Sequence, residues 1–386
     1  MSRPTYDVLV VGGGILGAFH AYHAAKKGKR VALFEKDTQS SGSTVQNFGQ
    51  VVPSGLKSPW FEFGLRTLEI YQELQQKGDF TLRQQGSIYL ASDEAEWQVA
   101  QELSDRHLEK NYDNILLTPR GVQDRYPFLQ PAYAVGGLFY PRDMSVEPTI
   151  FIHRFLHYLK EQLKVDVFFG QAIVDCQESS IGVQVKSANH QIWRAAKVII
   201  CSGYVFNVLF ADLYAQSGLI VSKLQMMQTL PMPDLQMKGN MLTGLTIRRY
   251  ESFEECPSFQ QFKVSDSYRD LLDWGIHILF KQAQDGSILI GDSHEYSPVA
   301  QAQALDQVSR ETINELILQE AARIVQFPVR TIEKRWAGFY AQHPDDLFEY
   351  NVSDNIHIRT GIGGKGMSSS AGYAEKSIAD LLGGRG

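Results

Sequence analysis

Cysteine is scarce in this sequence. Cys176, Cys201 and Cys256 are the three in 386 residues, and their spacing pairs none of them. A disulfide scaffold and a zinc site are therefore not expected, and a reducing cytosol suits the chain. Basic charge is short as well: 37 Lys and Arg stand against 43 Asp and Glu, a net charge of −6, which leaves no basic face for nucleic acid. Long apolar runs are missing. Stretches such as Val198 to Cys201 cannot cross a bilayer. The opening MSRPTYD has no apolar signal core, so secretion is not expected and a cytoplasmic location without a membrane span is. No linker, repeat or low-complexity segment breaks the chain, and no Ser/His/Asp or paired-carboxylate constellation stands out. What remains is a globular chain of two-domain length, with 44 % apolar and 21 % charged residues.

The first informative stretch follows at once. Tyr6 to Val11 (YDVLVV) is a β-branched apolar run of the kind a buried parallel strand needs. Gly12-Gly13-Gly14-Ile15-Leu16-Gly17 contains G-x-G-x-x-G. Gly12 permits the tight turn, Gly14 lets backbone approach a pyrophosphate, and Gly17 lets the helix pack closely. An alanine-rich helix, Ala18 to Lys27, stops at Gly28. Its N-terminus offers free N–H groups and a positive dipole end to an anion. A second strand, Arg30 to Phe34, ends in Glu35, and this acid lies 18 residues after Gly17, the distance at which it can bind a ribose hydroxyl. The stretch predicts a dinucleotide site that includes Val11, Phe34 and Lys36, and leaves NAD and FAD both open.

Two later stretches bear on that choice. Ser40 to Gly55 (SSGSTVQNFGQVVPSG) is polar and glycine-rich where an NAD domain would begin its next helix. Such a loop can follow a longer cofactor, with Ser43 and Thr44 donating to phosphates and Asn47, Phe48, Gly49 and Gln50 near a flavin ring. A plain surface loop is the other reading. Near the end, the strand Asn355 to Thr360 leads through Gly361, Gly363, Gly364, Lys365, Gly366 and Met367 to Ser370, and a helix follows from Ala371 to Leu382. This second glycine-rich turn can aim another helix N-terminus at the cofactor. A large cofactor held along its whole length needs both turns, which favours FAD.

On these motifs, together with Lys197 to Gly203 (KVIICSG), the chain resembles the D-amino acid oxidase / glycine oxidase / sarcosine oxidase family of FAD-dependent oxidoreductases over nearly its full length. The N-F-G loop and Trp336-Ala337-Gly338-Phe339-Tyr340 look most similar to a bacterial branch found near aminophosphonate-degradation genes. The resemblance implies an α/β fold of glutathione-reductase type. A Rossmann-like FAD-binding domain (1–80, 145–217 and 330–386) would interleave with a substrate domain (81–144 and 218–329) built on a mixed, largely antiparallel sheet. It also implies that Ala172, Ile173 and Val174 pass the adenine and that Cys201, Ser202 and Gly203 close the ADP side.

The middle of the chain supplies the roof. Trp60 to Gly78 and Pro148 to Leu163 have helical spacing, as does Ala302 to Ile324, which reads as a surface helix. Ile276 to Asp292 reads as a hairpin turning at Asp285-Gly286, within a run of strands from Gly218 to Tyr296. In the family's amino acid oxidases the segment matching 336–340 ends in an arginine that clamps the substrate carboxylate; here it ends in Tyr340. Sarcosine oxidases carry a flavin-linking Cys at the position of Gly338, so non-covalent FAD is expected here. Their later lysines are replaced by Ser368 and, near the hairpin, Leu289. Arg248 and Arg249 are read as roof-strand residues, one of which can face the cavity and hold a substrate anion; a solvated strand edge is the other reading. His153 and His157 lie one helical turn apart with no third ligand, and no metal is expected.

The expected activity is oxidation of a small amine, with hydride transfer to flavin N5, imine hydrolysis and oxygen as acceptor. An aminophosphonate such as 2-aminoethylphosphonate or its N-methyl form is the finer expectation. Tyr340, Gln50, Asn47, Arg248 and Arg249 are the expected catalytic and substrate-holding residues. Two alternatives stay open: an FAD-dependent dehydrogenase of a hydroxy acid or polyol phosphate, and a non-catalytic flavoprotein subunit.

Overall fold

The computed structural model describes residues 6–263 and 268–383. The opening residues 1–5, on which the expectation about secretion draws, lie outside them. The fold is α/β, framed by two large mixed sheets. Among the described residues, the first sheet has eight strands: β1 (Tyr6–Val11), β2 (Val31–Phe34), β8 (Asp166–Phe168), β9 (Ile173–Ser179), β10 (Gly182–Ser187), β11 (Ile192–Ile200), β18 (Phe348–Asn351) and β19 (Ile356–Thr360). Its centre, β19-β11-β1-β2-β8, is parallel throughout. β1 is apolar at all but Asp7 because its inward positions are covered from both faces.

The second sheet has nine strands: β4 (Ser87–Ala91), β5 (Ile115–Leu117), β6 (Gly136–Tyr140), β12 (Ile220–Thr229), β13 (Asn240–Leu242), β14 (Leu279–Gln282), β15 (Ile288–Gly291), β16 (Glu295–Pro298) and β17 (Ile332–Gln342). All its pairings are antiparallel except β13 with β4. A two-stranded ladder, β3 (Gln50–Val51) with β7 (Met144–Ser145), lies apart from both sheets.

Helices α1 (Ile15–Lys26), α2 (Trp60–Gln75), α5 (Pro148–Glu161) and α11 (Gly366–Leu382) pack over the first sheet, and α3 (Glu94–Glu109), α4 (Pro119–Arg125) and α10 (Glu311–Ile324) serve the second. The short helices are α6 (Ala211–Ala215), α7 (Gly244–Ile247), α8 (Glu251–Glu254) and α9 (Arg269–Asp273). Phe19 of α1 meets Phe155 of α5 at 4.5 Å and stacks on Tyr71 of α2 at 5.7 Å, which locks the first layer with aromatic contacts. Among the described residues no helix is long and apolar enough to cross a membrane. The three cysteines are free and buried.

Three expectations need correction. The last helix begins at Gly366, not Ala371, because the chain enters helical geometry directly after Lys365. The helix expected over 302–324 is interrupted. A single turn ends at Ala304, and α10 starts only at Glu311. Between them Asp306 accepts from Lys223 at 2.8 Å and Ser309 bonds to Asn314, side-chain contacts that take the chain out of the helix. The third correction bears on the site. Residues 244–254 are helical turns rather than strand, since Thr243 and Thr246 cap a turn reciprocally and start α7. Arg248 and Arg249 therefore follow a helix and do not alternate across a sheet.

Candidate active site

A cavity of about 810 Å³ joins the two sheets, lined at one end by the β1–α1 turn and at the other by the hairpin and β17. Gly12 sits at φ +114, and a side chain there would meet the Cys201 carbonyl oxygen at 2.1 Å. At Gly17 a Cβ would lie 2.0 Å from the Gly12 oxygen, so the helix can close on the turn only without one. Gly14 caps α1 with no side-chain bond, which leaves the Leu16 and Gly17 N–H groups at the helix start to a ligand. Thr44 Oγ1 accepts from the Ile15 N–H at 2.9 Å, and its own hydroxyl hydrogen stays free at that helix end. Glu35 accepts from the Gly13 and Asp37 N–H groups, both at 3.0 Å, and burial pushes its carboxyl above the ordinary range. Val11, Ile15, Leu16, Phe34, Lys36, Ala172, Ile173, Cys201, Ser202 and Gly203 line the same end.

The polar loop closes the middle. Ser43 donates to the Phe339 carbonyl at 2.6 Å, which ties the loop to β17. Asn47 lines the cavity but spends its amide on the loop itself, donating to Ser43 and Thr44 and accepting from the Gly49 N–H. Gln50 differs: its Nε2 is buried at the cavity wall with no hydrogen-bond partner among the described residues. At Gly338 a Cβ would stand 2.7 Å from the Gln46 carbonyl oxygen, so a side chain there would force the loop against β17 to shift. Gly361, Gly363, Gly364, Gly366, Met367 and Phe48 also face the cavity, and Lys365 pairs with Glu251 of α8 at 2.7 Å and Asp346 at 3.0 Å. Gly49 and Val174 are not among the lining residues. Gly49 turns the chain at φ +70, and Val174 is exposed on the far side of β9.

The roof end is where the unpartnered groups lie. Arg248 and Arg249 separate there. Arg248 is held by Asp93 and Glu96, each at 2.5 Å. Among the described residues, Arg249 has no carboxylate within ion-pair reach, and donates to the Tyr296 hydroxyl at 2.5 Å. The cavity wall beside it carries His277, Asp292, His294 and Tyr340. Burial pushes Asp292 up to about 7, while Arg249 pulls it back. Burial, with Arg249 adding to it, holds both imidazoles neutral. Tyr340 Oη lies 3.0 Å from His294 Nε2, and its phenol is pushed up by burial. His277, Asp292 and His294 bring ligand atoms within 4.8 Å of one another. Both ring nitrogens of His294 are already engaged, by the Gly275 carbonyl and Tyr340. A guanidinium faces the group, which disfavours a metal ion.

Asp292 and His294 are absent from the residues the sequence suggested. Their signal is the polar triplet Asp292-Ser293-His294 directly after the apolar strand β15.

Residues 7–381 match the family model described as DAO, FAD dependent oxidoreductase. Glycine oxidase from Bacillus subtilis is 24 % identical over 217 residues, covering 54 % of this chain and 57 % of that protein, so the chain spans little more than half of this relative's length. The crystal structure of glycine oxidase from Geobacillus kaustophilus matches with a TM-score of 0.76 at 21 % identity, over 98 % of this chain and 94 % of that one. The dithionite-reduced L-α-glycerophosphate oxidase of Mycoplasma pneumoniae, with FAD bound, matches at 0.79 and 16 % identity, over 99 % and 95 %.

Proposed function

The chain belongs to the DAO family of FAD-dependent oxidoreductases, and from that premise we propose that it oxidises the C–N bond of a small amine bearing an anionic group. The residues fit FAD. The glycine turn admits no side chain against Cys201, Thr44 offers a hydroxyl hydrogen at the α1 N-terminus, and the orphaned Gln50 amide faces the cavity. Bound flavin would accept the hydride from the carbon beside nitrogen. The chain's part is to orient the amine, hold the anion and exclude water. Dioxygen is the proposed acceptor, giving an imine, its carbonyl hydrolysis product and hydrogen peroxide.

One observation carries the reading of the substrate. Position 340, where amino acid oxidases of the family have a carboxylate-clamping arginine, is Tyr340, and Arg249, partly exposed, lines the same cavity with no carboxylate within ion-pair reach among the described residues. An anion with more oxygens than a carboxylate suits a lone guanidinium backed by the Tyr296 and Tyr340 hydroxyls. An aminophosphonate, such as 2-aminoethylphosphonate or its N-methyl form, is the substrate we propose. The test is anaerobic bleaching of the visible flavin band. Fast bleaching by these phosphonates and slow bleaching by glycine, sarcosine and D-alanine is the expected result. The reverse order overturns the phosphonate. Bleaching by L-α-glycerophosphate and by no amine overturns amine oxidation in favour of a polyol phosphate.

A further inference from the structure

The roof of the cavity contains a buried carboxylate that the protein leaves unsatisfied. Asp292 is 5 % exposed. It exchanges both backbone hydrogen bonds with His277, at 3.1 and 2.9 Å, so the two side chains leave the hairpin on one face. His277 Nε2 lies 3.0 Å from Asp292 Oδ1 but out of line, and among the described residues neither that oxygen nor His277 Nδ1 has a hydrogen-bond partner. The charged and titratable groups around the carboxylate are Arg249 and Tyr250 from the turn after α7, His277 and His294 from the hairpin and its exit, Tyr296 from β16, and Tyr340 from β17. Arg249 is the cation among them. Among the described residues no ion pair joins it to Asp292. A buried carboxylate that shares a cavity with a half-buried guanidinium but makes no ion pair with it is costly unless a ligand brings the matching charges.

We infer that Asp292 receives the ammonium of the substrate while Arg249 receives its anionic group, which makes the roof a two-point receptor for a zwitterion. This rests on the amine-oxidation reading above. One N–H bond of the ammonium breaks and one O–H bond forms on the Asp292 carboxylate. The nitrogen keeps its lone pair, which the departing hydride on the adjacent carbon requires, and the carboxyl proton returns to water with the product. A carboxyl that titrates about 7 can make this exchange near neutral pH.

The test compares the wild-type holoenzyme with Asp292→Asn on two ligand pairs that cannot be oxidised, because the central carbon bears no hydrogen. The pairs are 2-aminoisobutyrate against pivalate, and 2-amino-2-methylpropylphosphonate against neopentylphosphonate, with Kd read by calorimetry. Wild type is expected to prefer the amine-bearing member at least about tenfold, and Asp292→Asn to lower that preference about tenfold or more while keeping its flavin. An unchanged preference overturns the receptor. Asp292→Ser repeats the test if the Asn variant loses flavin. With an oxidisable amine, flavin reduction in Asp292→Asn is expected to fall roughly 10²-fold at pH 7 and to recover tenfold per pH unit toward the amine's own pKa. A loss equal at every pH overturns proton transfer to Asp292. If no amine reduces the wild-type flavin while the binding preference still collapses in the variant, the receptor stands and amine oxidation is what fails.

Discussion

The two ends of the cavity are built on opposite terms. At the glycine-turn end the polar groups are largely spent inside the protein: Glu35 on two backbone N–H groups, Ser43 on Phe339, Asn47 on its own loop. Backbone N–H groups and missing side chains do the recognising there. At the roof end, Asp292 Oδ1 and His277 Nδ1 are buried without hydrogen-bond partners among the described residues, and Arg249 lines the cavity with no carboxylate of its own among them. The first end is a rigid mould for a resident group. The second holds an electrostatic vacancy that a transient ligand can fill. Two adjacent residues show the same contrast, since Arg248 is locked to Asp93 and Glu96 and Arg249 is not.

Substitutions can break or sharpen this contrast. The largest effect is expected from Gly17→Val, whose Cβ would meet the Gly12 oxygen at 2.0 Å. The purified protein should then lack flavin, as its visible-to-ultraviolet absorbance ratio will show. Arg248→Met comes next. It strands Glu96, whose side chain is 1 % exposed, and should cost about 4 kcal/mol of stability in chemical denaturation while kcat/KM stays within about threefold.

The third effect is of pH. Asp292 titrates about 7 when folded against an ordinary 3.8, so its folded pKa is raised. The stability linked to its protonated form is present below pH ~4 and lost as pH rises through ~7, by about 4 kcal/mol relative to Asp292→Asn. Melting curves of the two proteins across that range check it. Arg249→Met should leave stability and flavin content in place and lower kcat/KM by about 10²-fold. Smallest is Tyr340→Phe, which removes one hydrogen bond to His294 and should cost about tenfold or less in kcat/KM. A large stability loss for Arg249→Met, or a large activity loss for Arg248→Met, would erase the distinction between the neighbours.

The sequence disclosed these two ends unequally. Strand, glycine turn, helix, strand and acid follow one another from Tyr6 to Glu35, and each step has a local signal. The hairpin and its Asp285-Gly286 turn were legible for the same reason. The roof end draws on residues 249, 277, 292, 294 and 340, brought together by pairings no local window contains. Arg248 and Arg249 were read as strand because α7 and α8 have four residues each, too short for a helical period to register. Asp292 reads as the end of the hairpin and not as a site residue, because its burial comes from distant segments.

The hairpin has a practical consequence. His277 and Asp292 sit at its open end, while the tip at Gln284 and Asp285 is exposed. Asp292 lies seven positions along the chain from Asp285, roughly 20 Å if extended. Natural drift or an engineer can therefore lengthen, shorten or decorate the tip without disturbing the roof. A reporter dye attached at Gln284 would ride on the strand that carries Asp292, and would give a signal for ligand arrival that does not depend on flavin colour.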